Sequence, residues 1–389
     1  MLASHRGPLA GITVLELGHI VAGPTASLIL AEFGADVIKI ERPGSGDQAR
    51  LSKGNLGHFI SYNSNKRSVA LDIQTDDGKS TFLHLIKTSD ILIDNFAPGA
   101  LDRLGLGYDV LSACNPRLIH ASIKGFLPGP YGQRPLTDEP AQMMGGLAYM
   151  TGPKGKPLRA GTSVVDITGA MFAGLAVLAA LHERQETGVG RQIRIGLFES
   201  VVFLVGQHIA KATLRNEVPV PMPERGMGRD LGWGIYRIFS TSDDREVFVA
   251  VLSNPHWERF CNEFGLDEMW ADVELRTTNG RADQHKRLGE VTEKLIGSMT
   301  FAEAVERLER ANLPFAPVNT PYDLLTDPHL RAISFLESVS TPDGARGMIS
   351  KLPIASEGWF GGSRTNPPAL GADTEDVLGN IAKFLLKSR

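Results

Sequence analysis

From Ile167 to Leu181 the chain carries no charged side chain, and Thr168 is the only polar one. Such a run reads as a helix buried nearly all round, so the fold has to supply apolar partners on every side of it. Asp166 stands at its mouth, and a carboxylate there is either a cap or a reagent. Asp is a favoured N-cap, and its charge suits the positive end of the helix dipole. Two features weigh against a plain cap. Gly169 and Gly174 lie inside the helix, where each costs roughly 1 kcal/mol relative to Ala, a cost usually accepted so that another backbone or a ligand can come close. The preceding Gly161-Thr162-Ser163 is small and polar, as expected where something must reach the carboxylate.

The 389 residues exceed one ordinary core and suit two domains. With 40 basic and 44 acidic side chains and no block of like charge, nothing points to nucleic acid or to a membrane surface. The apolar run is shorter than the ~20 residues that span a bilayer, and the first residues lack the apolar core of a signal peptide. Only two cysteines are present, Cys114 and Cys261, with neither metal-ligand spacing nor a disulfide framework. The expectation is a cytoplasmic protein with no metal.

The first third alternates strand and helix signals. Strands are expected at Ile12–Leu17, Asp36–Glu41, Ser68–Ile73, Ile91–Asp94 and Leu118–Ser122, with helices over 25–33, 77–87 and 108–114. That alternation implies an α/β fold with a doubly wound parallel sheet, whose ligands sit beyond the carboxyl ends of the strands. Helices over 164–185 and 197–213 follow. Residues 216–234, rich in Pro, Gly, Met and Arg, read as a linker or mobile loop. Strands near 235–239 and 246–252 and helices near 254–264, 280–297 and 301–312 then form a smaller α+β domain. The expected organisation is 1–215 as the large domain, 230–315 as the small one, and 320–389 returning to the first, with a final helix over 373–386.

Gly18-His-Ile-Val-Ala-Gly23 lies between a strand and a helix but lacks the G-x-G-x-x-G fingerprint, and Pro24-Thr25 stands where a P-loop has its Lys-Ser/Thr. Glu41 ends the second strand as an NAD ribose acceptor would, yet Arg42 follows it and no glycine fingerprint precedes it. Neither H-E-x-x-H nor G-x-S-x-G occurs. Other segments converge instead: 18–24, 39–47, 65–72, 94–105 and 122–126 all fall at or just after strand ends. Arg42, Arg67, Arg103 and Lys124 would make a cationic rim for a phosphorylated ligand, although each alone reads equally as a solvated surface charge.

Taken together, Ile38-Lys-Ile-Glu-Arg-Pro-Gly-Ser-Gly-Asp47, Asn65-Lys-Arg-Ser68, Asn95-Phe-Ala-Pro-Gly-Ala-Leu-Asp-Arg103, Asn115-Pro-Arg117, Asp166 with its small-residue helix, Thr187-Gly-Val-Gly-Arg191 and Leu370–Leu378 resemble the family III CoA-transferases, the group of formyl-CoA transferase and carnitine CoA-transferase. The resemblance runs along nearly the whole chain. It implies a Rossmann-like large domain, a small domain, and a homodimer of two interlocked rings. It also implies acyl-CoA and a small carboxylic acid as substrates, with no tightly bound cofactor. Carried over by position, Asp166 falls on the nucleophile, Val21 and Ala22 on the pair near the CoA thiol end, and Arg42 on the adenine-contacting arginine. Leu71, Asp72, Ile73, Gln74, Asn95, Phe96, Ala97 and Arg103 fall on further CoA contacts, with Lys124 added from the cationic rim. Asp138 falls near an acidic residue lining the acyl site. Val21 replaces the Gln of formyl-CoA transferase, which speaks against formyl or oxalyl transfer. The run of glycines near that family's active site is absent, with Gly226-Met-Gly228-Arg229 as a loose substitute.

The implied chemistry is nucleophilic catalysis through an aspartyl anhydride and an aspartyl-CoA thioester. It calls for oxyanion donors and exclusion of water. One alternative is an alpha-methylacyl-CoA racemase-like epimerase, whose pattern places a His just before the position of Asp138; Thr137 stands there instead. Another is a CoA-binding protein without turnover, with Asp166 as a cap. Arg134, Arg225 and Arg229 are candidates for gripping a second carboxylate, which would favour a dicarboxylic acid such as succinate, mesaconate, malate or glutarate. His19, His58 and His120 read most simply as structural or exposed.

Overall fold

Five segments of the first two hundred residues carry apolar side chains on both faces, the pattern of strands covered on both sides. A computed structural model, which describes residues 7–51, 56–222, 233–341, 343–356 and 364–379, shows why. Strands β1 (Thr13–Leu17), β2 (Asp36–Glu41), β3 (Lys66–Ala70), β4 (Ile91–Asp94), β5 (Ile119–Lys124) and β6 (Gln192–Gly196) form one sheet in the order β3-β2-β1-β4-β5-β6. Every pairing in it is parallel. This is the strand order of a Rossmann-type doubly wound sheet.

Alternate side chains serve opposite faces. Val14, Val37, Ile91, Ile93, Ile119, Ala121 and Ile123 pack with the helices Ala22–Glu32 and Val164–Thr187. Leu15, Leu17, Ile38, Ile40, Val69 and Leu92 pack with Phe82, Leu85 and Ile86 of the helix Asp76–Thr88. The exposed edge of β3 is covered by the C-terminal segment. Ser68 N donates to Asp373 Oδ2 at 2.8 Å, Ala70 N to Thr374 Oγ1 at 2.9 Å, and Asp373 N to Ser68 O at 2.9 Å, so the edge has no free ladder to offer another strand.

Local differences from the sequence expectations have physical causes. The third strand stops at Ala70 because Asp72 to Thr75 turns the chain: Asp72 Oδ1 accepts from Gln74 N at 3.0 Å, and Thr75 Oγ1 caps the next helix by accepting from Gly78 N at 3.0 Å. The sixth strand, with Ile193 and Ile195 alternating, was not anticipated. The helix expected over 197–213 is two, Leu197–Leu204 and Gly206–Arg215, bent by 60°. Similarly, 280–297 divides into Thr278–Asp283 and His285–Gly297.

The Val164–Thr187 helix is 24 residues, long and apolar enough to cross a membrane by length and composition alone. In this fold one face of it lies against the sheet and the Ala22–Glu32 helix. A Cβ on Gly174 would meet Ile29 Cγ2 at 3.4 Å, and one on Gly169 would meet Leu197 Cδ2 at 3.0 Å. The two glycines thus serve close packing against neighbouring side chains. The burial expected all round is not reached: Met171 and Leu175 are 55% and 62% exposed.

The chain divides into two compact units, residues 1–149 with 158–219 and 332–389, and residues 150–157 with 220–331. The second holds an antiparallel sheet of Ile235–Ser240, Glu246–Val251 and Phe315–Pro317. It packs on the helices Asn254–Phe264, His285–Gly297 and Phe301–Arg310 around Trp257, Phe260 and Phe264. Residues 223–232, within the expected linker, and the end of the expected last helix, 380–386, lie outside the described residues.

Candidate active site

β1 and β4 are neighbours, and strand order runs outward from them in both directions. The loops after β1 and β4 therefore part at this point and leave a crevice, the place where doubly wound sheets take ligands. Two glycines let the β1 loop fold tightly. A Cβ on Gly18 would sit 2.8 Å from Glu16 Oε1, and one on Gly23 would sit 2.8 Å from Gly18 Cα. Asn95, just beyond β4, grips the loop from the other side: Oδ1 accepts from His19 N at 2.9 Å and Nδ2 donates to His19 O at 3.0 Å.

Beneath the loop lies a cluster of fully buried charges. Glu16 and Lys39 are register partners across β1 and β2. Lys39 Nζ bonds Glu16 Oε1 at 2.6 Å, Asp47 Oδ2 at 2.8 Å and Gly18 O at 2.8 Å. Lys66 Nζ bonds Glu16 Oε2 at 2.8 Å and Pro24 O at 2.8 Å, and Ser27 Oγ donates to Glu16 Oε2 at 2.5 Å. Burial disfavours each charge, but Lys39 and Lys66 outweigh it to hold the Glu16 carboxyl below its ordinary range. At Lys66 burial wins, and its ammonium pKa falls to about 8. Glu41 is likewise occupied: Arg50 forks onto its two oxygens at 2.8 Å each, and Ser68 Oγ donates to it at 2.6 Å. It has no oxygen left over for a ribose.

The crevice opens into a cavity of about 1010 Å³. Among its walls are His19, Ile20, Val21 and Ala22 from the β1 loop, Asn95, Phe96 and Ala97 from the β4 loop, Lys124, Asp138 and Asp166. A second cavity, of about 360 Å³, is walled by Arg42, Leu71, Asp72, Ile73 and Gln74, and shares His19, Gln48 and Phe96 with the first. The imidazole of His19 stacks on Phe96 with centroids 5.3 Å apart, at the junction of the two.

The helix Val164–Thr187 has Ser163 at its N-cap, with no side-chain cap bond. The carboxylate satisfying its first turn belongs to Asp138: Oδ2 accepts from Val165 N at 2.7 Å and from Asp166 N at 3.1 Å. Asp138 Oδ1 accepts from Gln142 Nε2 at 2.5 Å, and Gln142 Oε1 accepts from Ala160 N at 2.7 Å. Asp138 thus lines the cavity with both oxygens already bonded. No hydrogen bond reaches the Asp166 carboxyl from the described residues. Burial, then the Asp138 charge, then Glu139, push its pKa up to about 7. The same neighbourhood raises the Tyr62 phenol, through burial first and the Asp166 charge second. Val21 N and Ala22 N, at the start of the Ala22–Glu32 helix, also have no acceptor among the described residues.

The cationic rim does not assemble as expected. Arg42 lines the smaller cavity. Arg67 is spent on Asp36 and Asp376. Arg103 donates to Pro98 O at 3.2 Å and is absent from the cavity walls above. Lys124 lines the larger cavity, but its ammonium is paired with Asp94 and donates to Phe96 O at 2.7 Å. Asp94 also bonds His120 Nε2 at 2.8 Å, and against the effect of burial the His120 hydrogen bond and the Lys124 ammonium keep its carboxyl well below the usual range. Arg134 lies over the rings of Tyr131 and Phe126. Gly226, Gly228, Arg229 and Arg225 fall outside the described residues.

Several wall residues were not singled out from sequence. Tyr62 and Arg159 gave no local signal, and Arg159 is paired with Glu139 at 2.8 Å. The buried cluster did leave a trace: a strand covered on both faces has no reason to read Leu-Glu-Leu or Ile-Lys-Ile unless the charges meet.

Comparison with known proteins agrees with this fold. The sequence model described as CoA-transferase family III matches residues 9–374. The chain is 33% identical to the succinyl-CoA–L-malate CoA-transferase beta subunit of Chloroflexus aurantiacus, over 96% of this chain and 94% of that protein. It is 31% identical to a formyl-CoA:oxalate CoA-transferase of Rhodopseudomonas palustris, over 97% and 94%. Among solved structures it resembles a CAIB/BAIF family protein from Brucella suis, with a TM-score of 0.83 and 27% identity over 97% of this chain and 100% of that one. A hypothetical protein from Mycobacterium tuberculosis superposes with a TM-score of 0.83 at 26% identity, over 96% and 99%.

Proposed function

Because the chain belongs to CoA-transferase family III, we propose that it moves coenzyme A from an acyl-CoA thioester to a free carboxylic acid through covalent intermediates on Asp166. The observation that carries this is the division of labour at one helix start. Asp138 takes the capping bonds, and Asp166 faces a cavity with its oxygens unspent.

The steps balance without any outside reagent. An Asp166 oxygen bonds to the thioester carbonyl carbon, the C–S bond breaks, and CoA leaves as thiolate. That thiolate attacks the Asp166 carbonyl of the mixed anhydride, releasing the donor acid as carboxylate and leaving an Asp166–CoA thioester. The acceptor carboxylate attacks the new thioester, expels CoA thiolate and forms a second anhydride. The thiolate then attacks the acceptor's acyl carbon, which restores Asp166. Each addition places negative charge on a carbonyl oxygen. The unspent N–H groups of Val21 and Ala22, at the positive end of their helix, suit that charge.

The raised pKa of Asp166 fits the role. A carboxylate held near neutrality by burial and like charge is more basic than an ordinary aspartate and gains more on bonding to carbon. CoA would lie with its nucleotide in the smaller cavity near Arg42 and Leu71–Gln74, and its thiol end in the larger one. The acceptor is a dicarboxylic acid of the succinate, mesaconate, malate or glutarate type. Val21 in place of a glutamine speaks against formyl or oxalyl transfer, and the malate-using relative takes an acceptor of this class. The enzyme acts as a homodimer in the cytoplasm; the apolar, exposed Met171, Leu175 and Phe203 on the helices beside the site give a second chain something to cover. Thr137 deprives the racemase alternative of one proton carrier.

The test is incubation of wild type and Asp166→Ala with succinyl-CoA and a panel of acids. Wild type is expected to form the new acyl-CoA, while the variant binds CoA and transfers none. Equal transfer by both would return Asp166 to an architectural role.

A further inference from the structure

Among the described residues six non-glycine positions have positive φ, and five of them are Asn, Asp or Ser. The sixth is Ile20, at φ 64°. A β-branched residue in the left-handed region is a genuine outlier, because its Cβ crowds the neighbouring carbonyl, and such a conformation persists only where the surroundings over-determine it. Ile20 lies in the wall of the larger cavity, immediately before Val21 and Ala22.

The surroundings that hold it can be named. Ile20 N donates to Asp47 Oδ1 at 3.0 Å, and that oxygen also accepts from Ala49 N at 2.9 Å. Asp47 Oδ2 is paired with Lys39 at 2.8 Å, and Lys39 with Glu16 at 2.6 Å. Asp47, Lys39 and Glu16 are all fully buried. The preceding residue, His19, is fixed through both backbone atoms by Asn95. Asp47 is therefore fastened to the sheet through Lys39 and Glu16, and through one oxygen it holds the strained peptide at the cavity wall.

We propose that Asp47 is a positioning residue for the transfer reaction: it keeps Ile20 in its left-handed conformation and so keeps the Val21 and Ala22 N–H groups aimed into the cavity. This rests on the CoA-transfer reading given above. Without the Asp47 acceptor, Ile20 relaxes to negative φ and the two following peptides turn away. Asp47 touches no reacting atom; its effect runs through the loop.

The test is a double-mutant cycle of Asp47→Ala with Ile20→Gly, plus Asp47→Asn, read by kcat/KM for CoA transfer and by amide hydrogen exchange over residues 18–24. Asp47→Ala is expected to lower kcat/KM by roughly tenfold or more and to speed exchange in that segment, the size a released backbone strain allows. In the Ile20→Gly background the same substitution is expected to cost about twofold, because glycine adopts positive φ without penalty. Asp47→Asn keeps an acceptor for Ile20 N but loses the pairing with Lys39, and is expected to fall between wild type and Asp47→Ala. An equal Asp47→Ala penalty in both backgrounds overturns the proposal. If Asp47→Ala does not fold, a tenfold loss in Asp47→Asn that Ile20→Gly leaves unchanged overturns it equally. Exchange separates the two readings. A wild type that transfers no CoA refutes the function, while unchanged exchange in both Asp47 variants refutes the positioning role.

Discussion

Asp166→Asn separates reagent from cap most sharply when stability is followed against pH. The folded-state pKa is raised to about 7, first by burial and then by the Asp138 and Glu139 charges. An acid raised in this way binds its proton more tightly folded than unfolded. Its contribution to stability is complete below the unfolded value near 4 and is lost as pH climbs to 7. A rise of about three pH units corresponds to an upper bound on the order of 4 kcal/mol. Because the carboxyl faces a solvated cavity, about 2 kcal/mol is the expected share. Asn is neutral at every pH. Asp166→Asn is therefore expected to match wild type near pH 4 and to exceed it above pH 7, by a Tm of roughly 2–3 °C, while transferring no CoA. Thermal unfolding at half-unit steps between pH 4 and 8.5, with activity measured on the same samples, makes the comparison. A variant no more stable than wild type above pH 7 would contradict a raised Asp166 pKa.

Three further outcomes follow from the site. The pH profile of kcat/KM should rise through an apparent pKa near 7, since only the ionised Asp166 attacks; a profile flat from pH 5.5 to 8.5 would contradict this. Asp138→Ala strips the acceptor from Val165 N and Asp166 N and should cost about 2 kcal/mol of stability while lowering kcat more than tenfold; unchanged melting would show that the cap is not needed. Arg42→Ala, at the wall of the smaller cavity, should raise KM for acyl-CoA by roughly tenfold and leave kcat near wild type, as expected for a contact made equally in ground and transition states. A fall in kcat with KM unchanged would place Arg42 elsewhere in the reaction.

Much of the sheet was legible because parallel strands covered on both faces must be apolar, and β1, β2 and β4 are short apolar runs set between loops and helical segments. β6 was missed because Gln192-Ile-Arg-Ile-Gly196 is short, carries only two apolar side chains and follows the glycine-rich stretch Thr187–Arg191. The helix under the site was visible from its uncharged run. Which of its neighbours would cap it was not, because Asp138 lies 28 residues away and meets Val165 and Asp166 only through the fold. The cationic rim failed for the opposite reason: sequence shows where arginines and lysines stand but not which acids they meet, and Arg67 and Lys124 are already paired. The strain at Ile20 had no trace at all, since nothing in Gly-His-Ile-Val-Ala-Gly demands a left-handed isoleucine.

The most direct measurement is intact-protein and peptide mass analysis of enzyme quenched during turnover with an acyl-CoA and an acceptor acid. A CoA adduct, discharged by hydroxylamine or reduced by borohydride, is expected on the peptide containing Asp166 and absent from Asp166→Asn. Robust turnover with that aspartate unmodified at every quench time would contradict it.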